Sequence, residues 1–310
     1  MQGNLKLLLI LPFILFLISC ERIDPEGPRS ESSVYIPDSE FLFELIGDKI
    51  DTNGDSIISY REAEEVTFLN LSNYFGPDIT DLTGIEAFIN LEILVCRCNK
   101  VADLDLSKNT VLQEVYAYDN DLKNIDVSGC KDLTLLHVGC DGLCHKNRLT
   151  KLDISNNQKL RILDCRNNLL TKIDVSNNHY LESLYCPLNQ ITELDLSNNI
   201  HLNQLEAWSN QLTSLDVSNC ESLTVLDFSV NQITEIALEN NPSLVELDAS
   251  RNFISSLNLS NNPTLKLLII KDMPMLKWIC INSFPFPPAD MNIISSDNSD
   301  FQFITDCSIK

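Results

Sequence analysis

The chain has 310 residues, 44% of them hydrophobic, which is enough to bury a sizeable core. Lys and Arg total 22 against 44 Asp and Glu, a formal net charge of -22. That balance excludes nucleic acid and anionic membrane surfaces as electrostatic partners, and it suits a well-solvated surface that attracts cations.

The N-terminus reads as a targeting segment. Lys6 gives a weakly positive start, and Leu7 to Ile18 is an apolar run too short to span a bilayer. It leads into "LISC", Leu17 to Cys20, which resembles a bacterial lipobox; an ordinary signal peptide with a chance cysteine is the alternative. The resemblance implies that residues 1–19 are a leader and that Cys20 is lipidated and becomes the mature N-terminus. Losing Lys6 alone among charges then gives 21 minus 44, or -23. The expectation is an exported outer-membrane lipoprotein of a Gram-negative-type bacterium, surface-exposed and held to the membrane by its lipid. Residues 20–37, rich in Pro, Ser and charge, read as a flexible tether.

Residues 38–90 predict a helical N-terminal cap that ends in a junction segment. Within it, "DTNGDSIISYRE" places Asp51, Asn53, Asp55, Ile57, Ser59 and Glu62 at positions 1, 3, 5, 7, 9 and 12 of a loop. This is the spacing at which oxygen ligands wrap calcium in an EF-hand. Ser56 stands where the sharp turn normally takes Gly, which imposes an unfavourable φ and weakens binding. Calcium is expected as a stabiliser of the cap; the alternative is the same loop closed without metal.

From residue 91 the chain repeats itself. Leu91, Leu112, Leu133, Leu160, Leu181, Leu202, Leu223, Leu244 and Leu265 are spaced by 21, except for a step of 27 around "GCDGLCHK", Gly139 to Lys146. In the copy "LESLYCPLNQITELDLSNNIH" the apolar slots are 0, +3, +5, +10, +13 and +15, from Leu181 and Leu184 through Cys186, Ile191 and Leu194 to Leu196. The steps of two are strand-like, with alternate side chains inward. Slot +8 is nearly always Asn (Asn99, Asn120, Asn168, Asn189, Asn210, Asn231, Asn252), which predicts a ladder bonding the backbone of neighbouring turns. Fixed-period self-similarity predicts a solenoid whose coils cannot bury their apolar side alone.

The pattern LxxLxCxxNxLTxLDLSxN resembles a leucine-rich repeat of the internalin type over roughly residues 66–281, and "ITDLTGIEAFINLE", Ile79 to Glu92, resembles the internalin cap-to-repeat junction. The resemblance implies an α/β leucine-rich-repeat solenoid with a parallel β-sheet on its concave face and a small helical N-terminal cap. Repeats run over 91–281 and a C-terminal cap over 282–310. Cys96, Cys165 and Cys186 occupy slot +5 and read as small buried hydrophobes, with a Cys165–Cys186 disulfide disfavoured by sheet geometry. A Cys280–Cys307 disulfide closing the C-terminal cap is left open.

Slots +2, +4 and +6 of each coil face outward on that sheet. They gather Tyr116, Tyr118, His137, Asp164, Arg166, Tyr185, Glu206, Trp208, Asp227 and Asp248, candidates for a binding face because the core requires none of these aromatics. Asp105, Asp126, Asp153, Asp174, Asp195 and Asp216, each two residues before a Ser, read as turn-forming groups rather than a row of calcium ligands. "CDGLCH", Cys140 to His145, admits a zinc site from Cys140, Cys144, His145 and His137, but a loop disulfide or a plain exposed insertion is preferred. No nucleophile–base set exists among the four histidines and the repeat serines, so no enzyme is expected. The internalin resemblance implies adhesion or protein–protein recognition, with an extracellular or host protein as partner. Glycan capture and a ligand-free envelope spacer are the rival readings.

Overall fold

The computed structural model describes residues 32–73, 76–140, 142, 144–283, 286–287, 290–296 and 300–308. The leader, Cys20 and most of the tether therefore lie outside the described residues. The repeats close into a solenoid whose main sheet has eleven strands, all paired in parallel. Nine come from the repeats, eight at slots +2 to +4 and the last extended to +5, from Ile93–Val95 to Leu267–Ile270. Phe68–Asn70 adds a strand ahead of the first repeat, and Asn292–Ser295 adds one after the last. The sheet thus reaches into both caps. Slot +13/+15 forms true strands only towards the ends among the described residues, in Asp103–Asp105 with Asn124–Asp126 and in Ser256–Asn258 with Trp278–Cys280 and Gln302–Ile304. The middle coils keep the inward spacing there without a ladder.

Period-two spacing buries one side chain of each three-residue strand and turns its neighbours outward. In the Ser183–Tyr185 coil, Leu181, Leu184, Cys186, Ile191, Leu194 and Leu196 are all buried. Each fully buried Leu contributes about 1.5–3 kcal/mol relative to exposure, but only because the next coil covers it. Two polar ladders hold the turns. In the predicted one, Asn189 Oδ1 accepts the Leu170 N–H at 3.0 Å, while Nδ2 donates to the carbonyls of Cys165 at 3.0 Å and Cys186 at 3.1 Å. The 27-residue coil keeps this rung with Asn147, which donates to the carbonyls of Ala117 and Val138 at 3.0 Å. The six extra residues therefore lie, in sequence, between the strand and this rung.

The second ladder lies at slot +18, in Asn109, Asn157, Asn178, Asn199, Asn241 and Asn262, all buried. Asn178 Nδ2 donates to the carbonyls of Ile154 at 3.1 Å and Asn157 at 2.9 Å. Cys130 and Cys220 replace Asn in this row, and the Cys130 thiol donates to the Leu106 carbonyl at 3.3 Å. Slot +7, one residue before the first ladder, takes a left-handed φ of 52–56° in eight coils, including at Leu188 and Val230. Such residues are rare there, and in seven of the eight a bonded Asn rung stands beside the corner, Met273 replacing it after Asp272.

The N-terminal cap is a helix, Ser39–Gly47, with Asp38 as N-cap, the loop, and a short helix, Tyr60–Glu64. Cys280–Cys307 forms a disulfide at the other end. No helix among the described residues is long and apolar enough to cross a membrane.

Candidate functional site

Five consecutive strands, from Leu135–His137 to Val225–Asp227, carry most of the predicted face in register, with His137 beside Asp164, Asp164 beside Tyr185, Tyr185 beside Glu206 and Glu206 beside Asp227. Adjacent strands lie about 4.8 Å apart, so each residue meets its counterpart one coil on. One half of this face is an ordered aromatic and basic network. Arg97 bonds the Tyr118 hydroxyl and lies 5.5 Å from its ring centre. Tyr118 stacks on His137 at 4.2 Å. His137 Nε2 approaches Asp164 at 3.5 Å, and Arg166 Nε donates to both Asp164 oxygens at 3.0 and 2.9 Å. Arg166 lies 5.3 Å from the Tyr185 ring centre, and the Tyr185 hydroxyl donates to Gln204 at 2.8 Å.

This network corrects the expectation that the whole face is exposed. Tyr118 is 8% and Asp164 7% accessible, so both support the face from beneath. Tyr116, His137, Arg166, Tyr185, Glu206, Trp208, Asp227 and Asp248 are half-buried. Gly139, at an outward slot with no role evident from the sequence, makes room for the central pair. A Cβ there would meet Arg166 Cγ at 2.7 Å and Asp164 Oδ1 at 2.8 Å.

The other half is acidic. Glu206, Asp227 and Asp248 stand in register on neighbouring strands. Burial lifts the Asp227 carboxyl to about 6, the Ser229 side-chain and backbone hydrogen bonds pull it the other way, and the charges of Asp248 and Glu206 add to the rise. The face can therefore offer a rigid aromatic half and a strained anionic half to one ligand.

The insertion does not form the zinc set admitted by the sequence. Cys144 is bonded to Cys98, across two coils, and not to Cys140. His145 Nε2 lies 3.6 Å from Asp78, and His137 belongs to the concave network. A Cys140–Cys144 loop disulfide is likewise corrected, since Cys140 stays a buried free thiol.

No protein-family model and no curated relative matches the sequence. Among solved structures, the functional domain of InlJ from Listeria monocytogenes, described as including a cysteine ladder, is similar at 30% identity and a TM-score of 0.72. The alignment covers 86% of this chain and 61% of that one, so the chain spans less than two thirds of that relative. The fold is therefore that of a leucine-rich-repeat solenoid, similar to an internalin domain. Internalin C2 of Listeria monocytogenes, at 24% identity and a TM-score of 0.56 over 75% of this chain and 92% of that one, shares the fold. So does a leucine-rich-repeat protein of Leptospira interrogans, at 20% identity and a TM-score of 0.59 over 72% and 62%.

Cysteines also stand in the core of this solenoid. Cys165 and Cys186 occupy slot +5 of successive coils, and Cys96 holds the slot near the N-terminal end. All three are fully buried free thiols, as expected, and no Cys165–Cys186 bond forms. Burial pushes the Cys96 and Cys186 thiols up to about 12, so these sulfurs fill space without reactivity. The Asp-x-Ser turns also form as expected: Asp195 Oδ1 accepts the Ser197 N–H at 2.9 Å, and Asp216 does the same for Ser218.

The cap loop has the expected turn, with Ser56 at φ 63°. Asp51 accepts the N–H groups of Gly54 and Ser56 at 2.8 Å, and Asp55 accepts that of Ile57 at 2.9 Å. Glu62 is 5% accessible and engaged at both oxygens: Oε1 with the Thr52 N–H, the Thr52 hydroxyl and the Asn53 N–H, and Oε2 with the Ser59 N–H and hydroxyl. Desolvation raises its carboxyl, but the hydrogen bonds from Ser59 and Thr52 outweigh this and bring it down to about 2. The donor types suit calcium, yet the position-12 ligand is already closing the loop as a capping box.

Proposed function

We propose that this protein is a surface-anchored recognition module that binds a basic, extended segment of an extracellular or host protein along its concave face. The observation that carries this reading is the in-register row of Glu206, Asp227 and Asp248 beside the ordered Tyr185 and the half-buried Trp208. Amphipathic aromatics next to desolvated charge are interface anchors. A neutral glycan would use the aromatics but leave the carboxylate row without a counter-charge, so glycan capture ranks second. A spacer without a ligand needs neither half.

The test is a binding screen of residues 21–310 against immobilised matrix proteins and glycans, run beside a Tyr185→Ala/Trp208→Ala variant. A protein hit weakened at least ~30-fold in the variant is expected, since two anchors are worth about 2 kcal/mol or more together. A hit indifferent to the variant moves the site off this face. A screen without hits puts the spacer first.

Two further parts of the reading concern attachment and the cap. The Cys20 lipid would hold the module at the outer membrane; a Cys20→Ser chain that still partitions with membranes sinks this. Calcium in the loop of Asp51, Asn53, Asp55, Ile57, Ser59 and Glu62 must displace the five hydrogen bonds on Glu62, so its affinity is expected at the weak end, with Kd on the order of 10⁻⁴–10⁻³ M. Addition of 5 mM calcium after chelation, about five times the upper end of that range, should raise the Tm of residues 21–310. An unchanged Tm leaves the cap to Glu62 alone.

A further inference from the structure

The recognition face leaves the six-residue insertion unused, and a second cluster sits at its base. Slot +7 of the first three coils is held by Cys98, Asp119 and Cys140, which the stacking of coils brings into one row along the solenoid edge. The insertion folds Cys144 back over this row to Cys98. The sulfurs of Cys98 and Cys144 and a carboxylate oxygen of Asp119 all lie within 4.8 Å of one another. The Cys140 thiol bonds the Asp119 carboxylate and approaches the His145 carbonyl at 3.4 Å. Asp119 is fully buried, and its Oδ1 accepts the Gly142 N–H at 3.2 Å, which fixes its orientation. Two sulfurs and one buried carboxylate therefore converge, and the Cys140 thiol adjoins that carboxylate from just outside the group.

We propose that reduction of Cys98–Cys144 converts this corner into a tetrahedral site for zinc or a similar thiophilic divalent cation, with Cys98, Cys140, Cys144 and Asp119 as ligands. A dithiol reductant supplies two electrons and two protons to the S–S bond and is itself oxidised to a disulfide, leaving two thiols. Zinc then replaces the protons of the three thiols, which pass to solvent, and binds the ionised Asp119. A site with Zn–S of about 2.3 Å and Zn–O of about 2.1 Å separates its ligand atoms by roughly 3.5–3.8 Å. The carboxylate thus needs only a small shift, Cys140 must swing inward from its contact with Asp119, and the two bonded sulfurs must part. Cys144 can retreat because it is exposed on the insertion, while Cys98 is held by its coil. Three thiolates favour zinc over calcium or magnesium. Cys96, Cys165 and Cys186 point into the core and belong to no second such group among the described residues. Oxidised, the corner is a covalent staple; reduced, it is a metal staple at the same place.

The experiment uses residues 21–310 reduced with a phosphine, which gives the thiols and its own oxide with oxygen from water and does not compete as a thiol ligand. After anaerobic desalting, zinc is titrated against a chromophoric chelator, and cobalt(II) is used as a spectroscopic substitute. The expected result is one zinc per chain, bound at least ~100-fold more tightly than by the disulfide form, with a sulfur-to-cobalt charge-transfer band. Cys140→Ser, which spares the disulfide, and Asp119→Asn should each weaken zinc at least tenfold while keeping the parent circular dichroism. Equal zinc affinity before and after reduction overturns the proposal. So does a Cys140→Ser chain that binds as tightly as the parent, or a reduced chain that loses its folded signal before metal is added.

Discussion

Replacing Asn189 by Ala is expected to destabilise the solenoid by about 4 kcal/mol, among the largest effects of any single substitution here. The side chain is one rung of a ladder, and its loss orphans groups on two coils at once. The buried Leu170 N–H loses its acceptor, and the carbonyls of Cys165, Cys186 and Pro187 lose a donor. Water cannot replace it, because Leu170, Cys165, Cys186 and Pro187 are all buried. The neighbouring corner at Leu188, φ 55°, keeps its N–H bond to the Trp208 carbonyl but loses the rung bonded to the Pro187 carbonyl just before it. The matched control is Asn178→Ala in the second ladder. Asn178 donates to two carbonyls, but its Oδ1 has no partner, so removing it also removes a buried unsatisfied acceptor. Its cost is expected at about 2 kcal/mol, half that of Asn189. Urea unfolding followed by circular dichroism measures both. Equal losses would mean that coil closure depends on packing around the rung and not on its bonds.

That comparison also separates what the sequence could tell from what it could not. The period, the inward leucines and the slot +8 ladder are legible because each is a local rule repeated many times, so a single misread copy changes nothing. The slot +18 ladder is equally periodic, since Asn109, Asn157, Asn178, Asn199, Asn241 and Asn262 recur with the coil; it escapes notice because Asn there blends into the polar turn. Asn147 is hidden by the insertion that displaces it from its slot. The left-handed corner at slot +7 carries no glycine signal, since none of the eight residues that take it is Gly, and it persists at Asp272 where Met273 replaces the ladder Asn. The Cys98–Cys144 bond lies beyond pattern reading for a different reason: it joins residues from coils one and three, and only the direction in which the insertion folds decides its partner. Face residues obey the same division. Their outward register is readable from the alternation of two, whereas Tyr118 is covered by Arg97 from the neighbouring coil and Asp164 by Arg166, two residues on in its own coil.

The acidic half of that face should make stability depend on pH in an unusual direction. The Asp227 carboxyl lies near 6 in the folded chain, against 3.8 in the unfolded one, through burial first and then through the facing charges of Asp248 and Glu206. The folded state therefore holds this proton more tightly. Its contribution is favourable below about pH 4 and is lost as pH rises through 6, for a total of about 3 kcal/mol. Asp227→Asn keeps an acceptor for the Ser229 N–H, now at 2.9 Å, but removes the charge. It is expected to raise the Tm at pH 8 and leave it nearly unchanged at pH 4, as scans at both values would show. The same variant should bind the proposed basic partner more weakly. An arriving ammonium or guanidinium group supplies the counter-charge that the row lacks, and with it the energy stored in the unbound face. Parent affinity should accordingly fall between pH 8 and pH 5 as Asp227 takes up its proton, while the variant stays flat over that range. A variant that is less stable at every pH would instead make Asp227 a structural member of the sheet, and the acidic half would lose its standing as a binding surface.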